Sequence, residues 1–513
     1  MASSMAHTAT EQNEYRKYIP MIAVMILGAF VSILNQTIIN VALPEMMDDL
    51  HLTPTRGQWL VTVFMLVNGI LIPLTAFLMQ KFTTRQLFIT AMSLFAAGTF
   101  LCGAAPGFAV LVLGRIVQAC GAGIMMPLMM NVILTVFPVE KRGRAMGVIG
   151  VAMVFGPAVG PTLSGWIVQT YSWRVVFFIV LPIALLCLLL ALFFMKNVTK
   201  LTHPKIDLPG VILSTFGFGG ILYGFSSAGE VGWGSPFVLV PLLLGALSLT
   251  LFIWRQLHEK TPMLEFRVFK YHMFTLTSVI SGVITMAMFS GMLLLPIYVQ
   301  DLRGFTPLES GLLLLPGALV MGIMSPVTGW IFDRVGAKWL AIVGLTITTV
   351  TTWEFAHLTE TTTYMFLVVM HALRMLGLSM LMMPIMTAGL NQLPQRMNPH
   401  GTAMANTLRM ISGSVGTALL VTVMSMRTTD HLREMMISRG ISAEDSQQLA
   451  LITQQATIAG INDAFLVATV LSFVALLLSF FIKRVHPPQE DRKLSPENKE
   501  QDTGVHKVPA TES

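Results

Sequence analysis

Ionisable side chains inside long apolar stretches are the first residues of this sequence that could do chemistry. Arg115, Arg374, Arg409, His371 and Glu354 all interrupt runs of apolar residues. An ionisable group at membrane depth is costly and by default indicates a functional site. Arginine keeps its proton at any relevant pH and can only tune a partner, whereas Glu and His can exchange a proton. The pattern favours a site that takes up and releases protons.

Glu354 is the predicted titrating group of this site. Arg374 would assist it, together with His371, which precedes Arg374 by one helical turn and shares its face. Arg115 lies at a mirrored depth in the first half of the chain and can tune or pair with a group that carries the proton. An alternative stays open, in which Glu354 is an interfacial residue in contact with water and His371 only packs between helices.

A second set of polar side chains could line a central cavity. Its amide members are Asn35, Gln36, Asn40, Asn68 and Gln118. Methionines are dense around them, and Met126 is the one predicted to face the cavity. Thioether side chains adapt to ligands of varied shape, which suits a pocket for many apolar compounds. For any single methionine, packing against lipid or a neighbouring helix is an equally good interpretation.

Several catalytic and cofactor motifs do not occur in the sequence. The chain has no G-x-x-x-x-G-K-[ST] phosphate loop, no H-E-x-x-H, no C-x-x-C and no G-x-S-x-G. We therefore expect no enzymatic activity, no cofactor and no bound metal, with a proton gradient as the energy source. Cys102, Cys120 and Cys187 lie in apolar runs and are expected to pack there.

Composition and apolar patterning indicate which elements must position these residues. The chain has 513 residues, of which 54% are hydrophobic and 11% are charged, against roughly 25% charged in soluble domains. Runs of about 20 apolar residues match the thickness of a bilayer. Fourteen runs predict an all-α polytopic membrane protein with the approximate spans Met21–Pro44, Gln58–Met79, Leu87–Ala105, Ala109–Val132, Ala145–Val168, Arg174–Met195, Leu208–Ala228, Pro236–Trp254, Met273–Val299, Leu308–Phe332, Trp339–Leu358, Tyr364–Leu390, Thr402–Met426 and Ala464–Ile482.

Positive charges concentrate in the short loops on one side of these spans. Examples are Lys81, Arg85, Lys141 and Lys205. The positive-inside rule then predicts a multi-pass protein of the cell membrane with both termini in the cytoplasm, because the number of spans is even. The net charge of +6 is interpreted as a topology signal and not as a nucleic-acid-binding surface. The N-terminal segment lacks a signal-peptide pattern and is expected to be retained.

Two segments of the first half recur in the second half. Pro73-x-Thr75-Ala76-Phe77 aligns with Pro326-x-Thr328-Gly329-Trp330, and further on Met125-Met126-Pro127 aligns with Met382-Met383-Pro384. Such a repeat predicts two bundles of six helices with the substrate site between them. The predicted organisation is a cytoplasmic segment 1–20, a bundle 21–200, two inserted helices 201–260, a second bundle 261–486 with an outer loop 427–462, and a disordered tail 487–513.

The fifth predicted span contains a glycine- and proline-rich segment that includes Gly156, Pro157, Gly160 and Pro161. Glycines permit close helix contact, and prolines bend a helix. The combination predicts a pivot, although an ordinary tight helix crossing would also explain it. The segment resembles the fifth-span motif of the fourteen-span drug:proton antiporter branch of the major facilitator superfamily.

Three further motifs carry the same resemblance. Gly114–Gly121 resembles the buried-arginine motif of the family, and Leu34–Pro44 resembles the first-span motif of the fourteen-span branch, in the variant of lincomycin-resistance exporters. Gly329–Lys338, with Asp333, Arg334 and Lys338, resembles the loop motif that acts as a conformational latch. The resemblance implies the fold of that superfamily, with two six-helix bundles and two extra linking helices.

The resemblance also implies a function, namely proton-driven export of amphipathic drug-like compounds by alternating access. Expected partners are small molecules, protons and the lipid bilayer, without nucleic acid. The chain is expected to act as a monomer, and an accessory envelope protein is left open. A dedicated metabolite exporter or facilitator, or a scaffold or sensor that does not transport, remain alternatives.

Two departures from the family pattern affect the proton carrier. Asn35 stands where the branch usually has Asp, and the first-half loop motif has Gln80 in place of its acid. Neither amide can exchange a proton. The family's usual assignment of the proton carrier to the first span therefore cannot apply to this chain.

Overall fold

The computed structural model describes residues 17–52, 54–199, 201, 207–439 and 446–483. Within these residues all regular secondary structure is helical, so the predicted all-α class is confirmed. The long helices are α1 Ile19–Asp49, α2 Pro54–Lys81, α3 Thr84–Gly103, α4 Phe108–Val136, α5 Arg142–Thr170, α6 Arg174–Phe194, α7 Leu208–Val231, α8 Pro236–His258, α9 His272–Ile297, α10 Pro307–Val335, α11 Ala337–Phe355, α12 Tyr364–Ser379, α13 Met382–Leu390, α14 Asn398–Arg439 and α15 Ser446–Ser479.

Each of the fourteen predicted runs falls on helix, but the twelfth is divided between α12 and α13. Pro384 contributes to the break, because its ring nitrogen cannot donate to the Met380 carbonyl one turn earlier. Eleven described helices are long and apolar enough to cross a membrane, or twelve if α2, bent by 51° before Pro73, is one span. This count is compatible with fourteen spans, which stays a prediction.

Local capping explains where several helices begin. Thr83 accepts a hydrogen bond from the Gln86 backbone, and the Gln86 side chain bonds back to Thr83, which starts α3. Thr306 and Glu309 form the same reciprocal pair at the start of α10. Gly336, with a φ of +86°, ends α10 and allows α11 to begin at the next residue.

The two bundles meet through a small number of helix pairs. Helix α5 of the first bundle packs against α10 and α13 of the second, and α14 of the second packs against α2 and α4 of the first. Helix α7 covers the seam between α2 and α14, and α8 packs on α7. The outer face of α8 exposes large apolar side chains such as Phe237, Leu243 and Leu247, which suits contact with lipid.

The third and fourth helices of each bundle approach each other at glycines. A Cβ added at Gly98 on α3 would collide with the α4 backbone at Gln118. A Cβ added at Gly344 on α11 would likewise collide with the α12 backbone at Gly377. The same helix pair is therefore packed by the same means in both halves, as expected for an internal repeat.

We call the end of the molecule that carries the α2–α3, α4–α5 and α10–α11 loops the basic end. At the opposite end, Asp49 accepts hydrogen bonds from Arg174 Nη1 at 2.8 Å and from Trp173 Nε1 at 2.9 Å. The Arg174 guanidinium, and then the Trp173 indole, hold the pKa of the Asp49 carboxyl below its ordinary value of 3.8. These contacts tie the end of α1 to the start of α6.

The predicted outer loop 427–462 is helical wherever it is described. Residues 427–439 extend α14, and residues 446–462 form the first part of α15. Asp463 joins the two extensions by accepting from Arg427 Nε at 2.6 Å and contacting His431 Nε2 at 2.9 Å. Residues 1–16 of the predicted N-terminal segment and the predicted disordered tail 487–513 lie outside the described residues.

Candidate functional site

Arg115 on α4 is 1% exposed and forms the centre of a polar network in the first bundle. Its Nε donates to the Leu60 carbonyl at 3.0 Å. Its Nη1 donates to Asn35 Oδ1 at 3.1 Å and to Gln118 Oε1 at 2.7 Å. The Phe64 ring lies 4.1 Å from its Cζ, a cation–π contact. The arrangement fixes a positive charge between neutral acceptors.

Asn35 and Gln118, both predicted to line the cavity, belong to this network. Each has an exposure of 0%, and Gln118 Nε2 also donates to Thr99 Oγ1 at 2.8 Å. In this conformation the two amides orient Arg115 and do not face an open cavity. Asn35 keeps the hydrogen bond that a carboxylate could make to Arg115, but it supplies no titratable group.

Arg374 on α12 occupies the corresponding place in the second bundle and is 0% exposed. Its Nη2 donates to the Ala287 carbonyl and to Ser290 Oγ, both at 2.8 Å, on α9. Its Nε and Nη1 have no partner among the described residues. Gly291 permits this close approach, because a Cβ there would collide with Nη1. Unpaired buried donors are costly, so a hydrogen-bond acceptor arriving here would be stabilised.

The structure places two of the predicted coupling residues of the second half one turn apart on α12 and the third on α11. His371 is buried one turn before Arg374, with its ring against Gly317 of α10. Its Nδ1 has no partner within the described chain. Glu354, near the end of α11, is half-buried. No ion pair joins Glu354 to Arg374 among the described residues, so this conformation lacks the contact that the predicted assistance requires.

Asp333, near the end of α10, joins the two bundles at the basic end. Its Oδ1 accepts from the Gly143 backbone N–H at 2.8 Å, and its Oδ2 accepts from the Arg144 backbone N–H at 3.0 Å. These amides belong to the first turn of α5, where the helix dipole favours a negative charge. A side chain at Gly143 or Gly329 would collide with the facing backbone. The carboxylate therefore clamps α5 to α10.

The basic residues at this end have different environments. The Arg334 guanidinium lies 3.8 Å from the centre of the Trp330 ring, and Lys338 is exposed at the start of α11. Arg142 makes a second link between the bundles, since its Nη1 donates to Asn391 Oδ1 at 2.9 Å. Of the motif residues, Asp333 bridges to α5.

His400 on α14 is a basic-end residue that the motif analysis does not find. Its Nε2 lies 3.0 Å from Gln80 Nε2 at the end of α2, and its Nδ1 accepts from the Glu265 backbone N–H at 3.2 Å. Because Nδ1 acts as an acceptor, the imidazole is neutral with its proton on Nε2, and that N–H can donate to Gln80 only through the amide oxygen, in the opposite orientation of the amide. Gln80 and His400 are 320 positions apart. A histidine directly after Pro399, at the start of a predicted span, is the sequence signal available.

The glycine- and proline-rich segment packs α5 against α1. A Cβ added at Gly156 or Gly160 would press on the α1 side chains opposite, and Thr37 Oγ1 donates to the Gly156 carbonyl at 3.3 Å. Pro157 and Pro161 lie within the continuous helix α5, and their side chains are outside the described part. The glycines thus permit close packing of α5 on α1, and the pivot stays a prediction.

The half of α5 nearer the basic end packs against the other bundle. Gly147 and Gly150 both face Ser325 on α10, so closely that a Cβ at either would collide with that residue. Helix α5 is therefore packed by small residues against α1 of its own bundle and against α10 of the second.

The remaining predicted cavity residues are less buried. Gln36, Asn68 and Met126 are half-buried, and the side chain of Asn40 lies outside the described part. A pocket is found between α9, α13 and α14. Its walls are formed by Phe274, Thr277, Ser278, Ser281, Gly282, Met386, Ala405, Leu408 and Arg409. Sequence reasoning identified Arg409 as a deep charge but did not place it in a pocket.

These features define a class of protein. A helical membrane protein with two similar bundles, a buried arginine on the fourth helix of each, and a clamp between the bundles at one end has the architecture of a secondary transporter. The sequence profile of the Major Facilitator Superfamily matches residues 25–417. The chain therefore belongs to this superfamily.

Individual relatives agree with this assignment. The lincomycin resistance protein LmrB of Bacillus subtilis is 43% identical, with 93% of this chain and 98% of that protein aligned. The multidrug export protein EmrB of Haemophilus influenzae is 26% identical, with 90% and 94% aligned. The crystal structure of the superfamily transporter FucP, at 13% identity, covers 91% of this chain and all of its own, with a TM-score of 0.58. The last comparison confirms the predicted fold alone.

Proposed function

We propose that this protein exports amphipathic, drug-like compounds in exchange for protons, by alternating access between its two bundles. The observation that carries the proposal is the Asp333 clamp, because a carboxylate on backbone amides of the other bundle can release and re-form as the bundles move. The names of the relatives, a lincomycin resistance protein and a multidrug export protein, support drug-like substrates.

The basic end lies in the cytoplasm under this proposal, with both termini, because Lys and Arg favour that side. The protein works as a monomer without a cofactor and catalyses no covalent reaction. The bundles comprise residues 21–200 and 261–486, with the insert 201–260 between them. Whether an accessory envelope protein takes part is not assigned.

The observed contacts correspond to the state that is closed towards the cytoplasm. Opening it requires the loss of the Asp333 clamp, of the Arg142–Asn391 hydrogen bond and of the contact between Gln80 and His400. Helix α5 is the proposed pivot, because its glycines face both bundles. Each of these links is polar and small, so water can replace it without exposing a large apolar surface.

Proton coupling is proposed for the second bundle. Arg374 has unpaired donors, and the neighbouring His371 has an unpaired ring nitrogen. A proton on His371 would be repelled by Arg374, whereas a carboxylate such as that of Glu354 would be attracted, so movement of either group couples charge to conformation. Arg115 is the fixed charge of the first bundle. Asn35 and Gln118 hold it in place.

Everted membrane vesicles with a respiration-driven proton gradient test the export function. We expect them to accumulate an amphipathic fluorescent dye, and lincomycin in a parallel assay, until an uncoupler dissipates the gradient. Accumulation that is unchanged by the uncoupler would indicate a facilitator. Movement of a single metabolite and no drug would indicate a dedicated exporter, and no movement of any compound would indicate a scaffold or sensor.

The coupling residues are tested with matched carboxylates. Glu354→Gln is compared with Glu360→Gln, since Glu360 is exposed a few residues further on. Loss of gradient-driven accumulation with Glu354→Gln alone, while dye binding persists, supports Glu354 as the proton carrier. The same pattern with His371→Gln would assign that role to His371. Unchanged coupling in a variant removes that residue from the proposal.

A further inference from the structure

We propose that Arg409 binds an anionic group of the exported compound, so that the protein prefers anionic amphiphiles to permanently cationic ones. The inference rests on the export function proposed above and names its substrate class. Arg409 lies in the pocket between α9, α13 and α14. The same face of α14 reaches the first bundle, since Asn406 Nδ2 contacts Met130 Sδ at 3.3 Å. A ligand bound here therefore lies next to the contact between the two bundles, which must change during alternating access.

The Arg409 guanidinium has N–H donors that make no hydrogen bond to the described residues. Its Nη2 donates to Asn406 Oδ1 at 3.4 Å, a long contact, and this is its one hydrogen bond among the described residues. A guanidinium carries five N–H donors. Within the same residues no carboxylate forms an ion pair with it. A charge so placed is stabilised by an anionic ligand, and the planar guanidinium can bind a carboxylate through two parallel hydrogen bonds.

The other pocket walls suit an amphipathic partner. Ser278 and Ser281 on α9 are half-buried, and within the described chain neither hydroxyl makes a hydrogen bond. They could donate to the same anionic group. Phe274, Met386 and Leu408 supply apolar surface beside them. The pocket has a volume of about 10 Å³, room for a water-sized group, so in this conformation it can receive the anionic end of a ligand beside these apolar side chains.

The wider charge distribution favours the same substrates. The buried residues of the described chain include Arg115 and Arg374 but no Asp or Glu. Asn35 contributes a neutral amide where a carboxylate could have paired with a cation. Charges interact strongly in a poorly hydrated interior. A permanently cationic drug would meet like charge and find no buried carboxylate, whereas an anion would meet Arg409.

Binding of two dyes with a common xanthene ring tests the inference. Fluorescein is anionic, and tetramethylrhodamine methyl ester is cationic. Fluorescence anisotropy with the purified full-length protein in detergent should give tighter binding of fluorescein, and Arg409→Gln should raise its Kd about tenfold. Arg409→Lys, which keeps the charge, should restore part of the affinity. Arg396→Gln is the matched control, because Arg396 is exposed outside the pocket.

The outcomes separate this inference from the proposed function. Equal or tighter binding of the rhodamine ester, or a fluorescein Kd that is the same in the wild type and Arg409→Gln, overturns the anion preference. Uncoupler-sensitive export of a drug can still hold in that case. Fluorescein binding that depends on Arg409, without uncoupler-sensitive export of any compound, would instead refute proton-driven export and leave an anion-binding pocket.

Discussion

Replacing Asp333 by Asn should open the basic end. The carboxylate accepts two backbone hydrogen bonds, at 2.8 and 3.0 Å, from the first turn of α5. A hydrogen bond to a charged group contributes about 1.5–3 kcal/mol, and a negative charge at a helix N-terminus about 0.3–1 kcal/mol. An amide keeps one acceptor oxygen and loses the other together with the charge. The closed state should therefore lose about 2 kcal/mol, which is roughly a thirty-fold shift in population.

Thiol labelling at the seam measures this shift. Ser325 is 3% exposed and faces Gly147 and Gly150, so a Ser325→Cys variant without the native cysteines reports opening at the basic end. A membrane-impermeant maleimide is added to everted vesicles, and the rate of labelling is compared with and without Asp333→Asn. We expect a rise of roughly thirty-fold, in line with the free energy worked out above.

Glu309→Gln provides the matched control, because Glu309 lies at the other end of α10 and caps its own helix. Its loss weakens a helix end without touching the other bundle. An unchanged labelling rate with Asp333→Asn would refute the assignment of Asp333 as a clamp. An equal rise with both variants would show that general destabilisation of α10, and not release of the clamp, exposes position 325.

Three further predictions use the same structure. Gly329→Ala should also speed labelling at the basic end, because its methyl group would meet the α5 backbone, and such overpacking costs about 1–3 kcal/mol. His400→Ala should do so by roughly tenfold, since it removes the contact with Gln80 of the other bundle, whereas the exposed His272→Ala should not. Asp49→Asn should make the melting temperature fall less steeply as the pH drops below 3.8. Arg174 lowers the pKa of Asp49, so the stabilisation from this carboxylate is present above pH 3.8 and is lost as the pH falls through the lowered pKa.

Sequence alone predicts the elements of this fold well, because hydropathy is a local property of each helix. It does not predict whether two residues of the same type have the same effect on the backbone in different structural surroundings. Pro127 lies inside the continuous helix α4, whereas Pro384, its counterpart in the repeat, follows a break. Local sequence identifies both prolines but does not indicate whether neighbouring helices will hold the backbone straight, since tertiary packing decides that.

The candidate site likewise contains residues whose contacts the sequence predicts and others whose contacts it does not. Asp333 could be predicted from its motif, because the motif itself specifies a carboxylate at the end of a helix. The partner of Gln80 could not, since His400 is 320 positions away and comes close only when α14 packs against α2. Glu354 and Arg374 have similar predicted depths, and among the described residues no ion pair joins them, so their pairing stays a prediction.

Both departures from the family pattern, Asn35 and Gln80, lie in the first bundle. Asn35 and Gln80 keep polar contacts with Arg115 and with His400 but carry no charge. The second bundle retains Asp333 at its clamp and a buried Arg374 beside His371. A step that depends on a change of charge can therefore occur in the second bundle and not through Asn35 or Gln80 of the first. Under the proposed coupling, the first bundle would follow through the contacts of α5 with α10, and the α5 glycines would be part of the coupling route.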